Sequence, residues 1–294
     1  MHDKDCLRRF VLEGLPIRGH LVHLDASWQA LIEHRSYPPA IRDTLGEAVA
    51  ASLLLAATIK FEGTLSLQLQ GDGPVHLMLA QCTSGLGVRG LARYREPPAD
   101  LAGASSMFGA ANLTVTLEND DSTQRYQGIV PVSGERLAES LQNYFENSEQ
   151  LPTRLWLHAG ERGASGMLLQ RLPEQDGPDV EDAWNRIQLL GDTLTVAELG
   201  ELAHSEILHR LFNEDDVRLF DPAPVFFRCR CSRERVAGML RALGEEETRS
   251  VLLERGDVKV SCDFCNRAYV FDPVDVEQLF SAAVATTAGA GSVH

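Results

Sequence analysis

Apolar residues dominate positions 41–60 (IRDTLGEAVAASLLLAATIK), opened after Pro38-Pro39 and closed near Phe61-Glu62-Gly63. A run of that length and pattern predicts a helix. From Thr64 to Gln70 (TLSLQLQ) the pattern switches to strict alternation, and Gly71-Asp72-Gly73-Pro74 reads as a turn before Val75 to Cys82 (VHLMLAQC). Two alternating runs around such a turn predict a hairpin. Further strands are expected at Val88–Tyr94, Leu113–Leu117, Gln124–Pro131, Thr153–His158 and Met167–Leu172, with a helix at about Glu135–Asn147. Strand-rich stretches separated by single helices predict an α+β mixed-sheet core domain over residues 1–175, not a regular βαβ repeat.

Past Pro173 the pattern changes. Glu174-Gln175-Asp176-Gly177-Pro178-Asp179 is a polar connector, after which Val180, Trp184, Ile187 and Leu190 or Leu194 recur at helical spacing. Thr195-Val196-Ala197-Glu198 is a capping-box pattern for a second short helix. Ser205 is the expected cap of a third, carrying Ile207, Leu208, Leu211 and Phe212. Short helices are marginal alone and depend on a neighbour, so residues 176–226 read as a metastable helical linker. A small module follows over 227–273. The remainder, 274–294, ends in SAAVATTAGAGSVH, and low-complexity small residues there predict a disordered tail.

Charge sharpens this division. The chain has 294 residues, 44% hydrophobic and 23% charged, with a formal net charge of −15. The linker holds twelve acidic residues against three arginines, whereas residues 227–272 hold nine basic and eight acidic groups. A polyanionic nucleic acid would be repelled by the overall field, and only 6% of residues are aromatic, too few for a base-stacking surface. No apolar run reaches the roughly eighteen residues that span a bilayer, and no secretory signal is evident, so the expectation is a cytoplasmic protein without membrane or nucleic-acid partners.

In that compartment thiols stay reduced. Four of the six cysteines fall within 37 residues, as Cys229-Arg230-Cys231, thirty residues, then Cys262-Asp263-Phe264-Cys265. Two close pairs converging from two turns match the ligand set of one tetrahedral Zn2+ ion. A dithiol switch without metal, a pair of structural disulfides, or four unrelated core cysteines are the alternatives. Arg228, Arg230, Arg233 and Arg235 flank the first pair, where they would favour thiolate or else form only a solvated charged face.

Other motifs carry less. Gly85-Leu86-Gly87-Val88-Arg89-Gly90 matches GxGxxG but lies between two strand-like runs, not in a strand–loop–helix unit, and reads as a strand connection. Asn112-Leu113-Thr114 is a sequon without relevance in the cytosol. His20/His23 and His204/His209 lack accompanying carboxylates and read as ordinary surface or core histidines. Cys82 ends an apolar strand and is expected buried, and Cys6 is expected at a frayed terminus. No nucleophile elbow, P-loop or paired carboxylates appear, so no enzyme is expected.

The cysteine spacing joined to an acidic linker resembles the redox-regulated 33 kDa chaperonin (heat-shock protein 33) family. Further strings carry the resemblance: Lys60-Phe61-Glu62-Gly63, Ser66 to Gly73 (SLQLQGDG), Arg125-Tyr126-Gln127-Gly128, Ser148 to Arg154 (SEQLPTR) and Phe227 to Arg235 (FRCRCSRER). Asn266 departs from the glycine common after the last cysteine, and asparagine tolerates the left-handed backbone needed there. The resemblance implies an ATP-independent holdase, inactive when reduced and zinc-bound. It implies that oxidation forms Cys262–Cys265 and then Cys229–Cys231, releases zinc and unfolds the linker. Apolar surface is thereby uncovered for unfolding client proteins, and the active form is a homodimer. Two rivals remain at this stage: a zinc-ribbon regulator binding nucleic acid or transcription machinery, disfavoured by charge, and a thiol oxidoreductase using Cys262 and Cys265, which leaves the other pair unexplained.

Overall fold

The computed structural model describes residues 4–95, 103–121, 125–173 and 178–287. The Glu96-Pro97-Pro98 break, Gln124, connector residues 174–177 and tail residues 288–294 lie outside them. The chain forms two compact units, one ending at Arg228 and one beginning at Cys229.

The first unit opens with β1 (Cys6–Leu12), β2 (Ile17–Leu24), α1 (Ala26–Ile32) and α2 (Pro39–Ala56). The hairpin β3 (Gly63–Gly71) and β4 (Val75–Thr83) follows, then β5 (Gly87–Tyr94), α3 (Gly103–Phe108), β6 (Ala111–Asn119) and β7 (Arg125–Pro131). α4 (Leu137–Tyr144) runs into a π-helical turn at Phe145–Glu149, and β8 (Thr153–Ala159) pairs with β9 (Ala164–Arg171). Two sheets result, in the orders β10-β1-β2-β9-β8 and β12-β5-β4-β3-β6-β7, where β10 (Val217–Leu219), β11 (Ala223–Pro224) and β12 (Phe226–Phe227) come from the far end of the linker. All pairings are antiparallel except β12 on β5.

α2 packs against strands of both sheets. Ala48, Val49, Ala50, Ala51, Leu53 and Leu54 are fully buried, because the second half of this helix, from Ala48 to Ala56, is apolar all round and has no polar face to turn to solvent. Gly46 permits the approach: a Cβ there would lie 2.4 Å from Ala159 Cβ.

Adjacent residues of one strand belong to different cores, so the first sheet is buried on both faces. Val22 and Leu24 join the core around α2, whereas Ile17 and Leu21 join a second cluster with Phe10, Leu12, Met167 and Leu169. The linker helices α5 (Pro178–Gly191), α6 (Val196–Glu201) and α7 (His204–Phe212) cover that second face with Trp184, Ile187, Leu199, Ile207, Leu211 and Phe212.

Several expectations are corrected. β1, β2, α1 and α3 were not anticipated. β1 places Leu7 in one core and Phe10 and Leu12 in the other, which erases a simple alternation. Cys6, expected at a frayed end, is 6% exposed in β1. α7 begins at His204, not beyond Ser205; the Glu206 carboxylate accepts the Ala203 N–H at 3.0 Å. The linker is not wholly helical, since Val217–Leu219 and Ala223–Pro224 pair with β1. Phe227 and Arg228 belong to the first unit, where the Arg228 N–H donates to Val88 O at 2.9 Å. The GxGxxG run is the β4–β5 connection, with Gly87 N–H bonded to Thr83 Oγ1 at 3.0 Å.

The second unit contains α8 (Arg233–Leu243), α9 (Glu245–Arg255), the hairpin β13 (Val258–Ser261) and β14 (Ala268–Phe271), and α10 (Pro273–Thr287). Its core is small: Val236, Leu240, Val258, Tyr269, Phe271, Val276, Leu279 and Phe280. The disordered tail expected from 274 is therefore corrected as far as Thr287, where the described residues end. Val276, Leu279 and Phe280 recur at i, i+3, i+4 on one face, and Asp272 and Asp275 cap the helix reciprocally at 2.7 and 3.0 Å.

Candidate metal centre

Cys229 and Cys231 lie on the loop immediately before α8, whose first turn is capped by Ser232 Oγ accepting the Arg235 N–H at 3.2 Å. Cys262 to Cys265 form the turn of the β13–β14 hairpin. There the Cys262 N–H bonds Arg267 O at 2.9 Å, and the Asn266 N–H bonds Cys262 O at 2.8 Å. Asn266 adopts φ 54, the left-handed conformation that a glycine would supply without strain.

The fold brings all four thiols together. Sγ of Cys229 lies 3.4 Å from that of Cys231 and 3.6 Å from that of Cys262, and Cys231 Sγ lies 3.4 Å from Cys265 Sγ. All four ligand atoms lie within 4.8 Å of one another, and all four cysteines are reduced. A tetrahedron with metal–sulfur bonds of about 2.3 Å has edges of about 3.8 Å. The donor set therefore fits a thiophilic tetrahedral ion, and no other cluster of this kind occurs among the described residues.

Protonation in the cluster follows burial and hydrogen bonding. Burial pushes the Cys229 thiol up, to about 12. Burial acts the same way on Cys231, but the Tyr269 hydroxyl donates to its sulfur at 3.1 Å and, with the neighbouring thiols, brings it down to about 7. Burial also raises Cys265, partly offset by the Arg267 backbone N–H. Two of the four flanking arginines are engaged away from the sulfurs. Arg233 is taken up by Val270 O, Asp275 and the Phe271 ring at 4.3 Å, and Arg235 bonds Arg230 O at 2.8 Å. Tyr269 was missed in the sequence, because only the hairpin register turns its hydroxyl toward a sulfur from a strand four positions past Cys265.

The remaining candidates fall outside the centre. His20 is buried in β2, and its burial with Arg18 and Arg9 nearby holds it neutral, at about 3. His204 is buried at the start of α7 while His209 sits on that helix's exposed side. Cys82 is fully buried, and burial raises its thiol to about 12, leaving it inert.

A protein-family model described as Hsp33 protein matches residues 5–272. The 33 kDa chaperonin of Methylobacillus flagellatus is 47% identical over 285 residues, 97% of either chain. That of Nitrosococcus oceani is 49% identical over 284 residues, again 97% of either chain. The fold is also similar to a crystal structure of the 33 kDa chaperonin (heat shock protein 33 homolog) from Thermotoga maritima, with TM-score 0.84 at 22% identity, covering 96% of this chain and 99% of that one.

Proposed function

The chain belongs to the Hsp33 family, and from that premise we propose that it is a redox-regulated holdase chaperone of the cytoplasm that works without ATP and without catalysing a reaction. The observation that carries the proposal is the convergence of four thiols within 4.8 Å in a unit whose apolar core, among the described residues, has eight buried side chains. So small a core stabilises weakly by itself. Zinc held by Cys229, Cys231, Cys262 and Cys265 would keep the sulfurs as thiolates and contribute most of the unit's folding free energy.

Oxidation removes the ligands. For each pair, two thiols and one peroxide give one disulfide and two waters, the sulfurs supplying two electrons. The pairs assigned are Cys262–Cys265 and Cys229–Cys231. A disulfide between residues separated by one other closes a small strained ring, which is readily reduced again and suits a reversible sensor. Cys229 follows directly on the residues that bond β5, so unfolding beyond it pulls on Phe226–Arg228 and on the linker strands before them. Release of α5, α6 and α7 would uncover Phe10, Leu12, Ile17, Leu21, Met167 and Leu169 on the sheet and the matching helix faces, apolar surface suited to unfolding clients. The net charge of −15 helps keep loaded complexes soluble, and the active form is a homodimer.

The test is light scattering from a chemically denatured client diluted into buffer with the protein, once reduced with zinc and once after peroxide at mildly raised temperature. Suppressed aggregation in the oxidised sample only, with zinc release, is expected. Equal failure in both states would reject the holdase and favour a structural or binding role for the zinc unit.

A further inference from the structure

Three strings singled out in the sequence, around Lys60, Tyr126 and Glu149, take no part in the thiol chemistry, yet they meet around one cavity of about 370 Å³ in the first unit. It lies between the two sheets. Leu65, Val115 and Leu117 come from one sheet, Arg18 and Gln170 come from the other, and Leu55 and Phe145 close it. The size is that of a small-molecule site, and the walls are mainly apolar with a few convergent polar groups.

The polar groups are arranged in advance of any ligand. Gln170 is fully buried; its amide donates to Thr153 Oγ1 at 2.9 Å, which orients its carbonyl toward Arg18. That carbonyl accepts from Arg18 Nε at 3.0 Å and Nη2 at 2.6 Å, while Thr58 O accepts from Nη2 at 3.0 Å. Every acceptor is neutral. Among the described residues neither Arg18 nor Lys60 forms an ion pair, and the Arg18 Nη1 donors have no protein acceptor. Holding a half-buried guanidinium without a counter-charge costs stability, and such a cost persists where a ligand supplies the missing anion. Across the cavity, Glu149 accepts from the hydroxyls of Tyr126 and Tyr144, both at 2.7 Å. Two cations and one anion leave the lining at +1, which matches a monoanion and disfavours a dianionic phosphate.

We infer that this cavity binds a small amphipathic monoanion, an apolar chain or ring ending in a carboxylate that sits on Arg18 and Lys60. The inference stands apart from the redox reading, so the reduced, zinc-loaded protein is the form to use.

Decanoate is the probe, with decan-1-ol and decyl phosphate as comparisons, measured by titration calorimetry below their micellar concentrations. Decanoate should saturate one site, and decan-1-ol should bind at least about tenfold more weakly, the loss expected for a charged hydrogen bond. Lys60→Gln at the rim should weaken decanoate severalfold without disturbing the fold, Arg18→Gln should weaken it more, and Leu117→Trp should block it. Absence of saturable binding, equal affinity for the alcohol, tighter binding of decyl phosphate, or decanoate binding unchanged in Lys60→Gln and Leu117→Trp would each overturn the assignment.

Discussion

Single side chains decide what each site can sense. Cys262 is one corner of the thiol cluster, with Cys229 Sγ at 3.6 Å. Cys262→Ser replaces a soft thiolate with a hydroxyl, so zinc affinity should fall by more than about tenfold, and the linker should loosen enough to give holdase activity without oxidant. Chelator competition and client light scattering read the two effects; full zinc occupancy with a silent reduced state would contradict the coupling. Glu47 on α2 poses a different problem. Burial raises its carboxyl from 4.5 to about 7. The folded protein therefore binds this proton more tightly than the unfolded chain, and stability falls as pH rises from about 4.5 to about 7. Glu47→Gln should remove that dependence and raise stability at pH 8 by on the order of 2 kcal/mol, with little gain at pH 5. Urea midpoints at the two pH values decide it.

At the scale of elements, legibility tracked how local each signal was. The helix expected at 41–60 is α2, and the hairpin of alternating residues is β3–β4, because length and period sufficed. α1 is different. The Asp5 carboxylate accepts the N–H groups of Asp25, Ala26 and Ser27, so the helix start is set from twenty residues away. The capping box foreseen at Thr195 forms, with Glu198 Oε2 accepting the Thr195 N–H at 2.9 Å and Thr195 Oγ1 accepting the Glu198 N–H at 3.3 Å. α6 has only six residues, so this cap is a large part of what holds it. Thr195→Ala should cost the linker about 1 kcal/mol and speed amide exchange in residues 196–212 more than in α2. Uniform exchange rates across both helices would reject a separately loosening linker.

For the whole molecule, the tryptophans provide a separation of signals. Trp28, Trp156 and Trp184 all lie in the first unit. Trp28 is buried in the core around α2, Trp184 belongs to the linker helix α5 and is buried in the cluster it shares with the first sheet, and Trp156 bonds Asp192 at 3.2 Å. Chelation combined with peroxide should remove helical circular dichroism from the second unit and shift Trp184 and Trp156 emission to the red. Trp28 should hold its buried spectrum, as read in a variant with Trp156→Phe and Trp184→Phe. Loss of the Trp28 signal at the same oxidant dose would mean that the first unit unfolds as one body and that no linker-specific switch exists.

The sequence by itself determined the α2 helix, the central hairpin, the capping box, the buried Cys82 and the thiol set, since each rests on short-range periodicity, capping chemistry or ligand spacing. The tertiary structure decided the rest. β1 escaped notice because a sheet covered on both faces shows no alternation. That the linker helices cover the first sheet is visible only in the structure, where Trp184 and Phe212 share one buried cluster with Phe10 and Leu21. α10 became ordered because Val276, Leu279 and Phe280 found a core to join. Tyr269 met Cys231 through hairpin register, and Arg18, Lys60 and Glu149, distant in the chain, came to line one cavity. These are long-range juxtapositions, set by which apolar faces bury each other, and no local pattern encodes them.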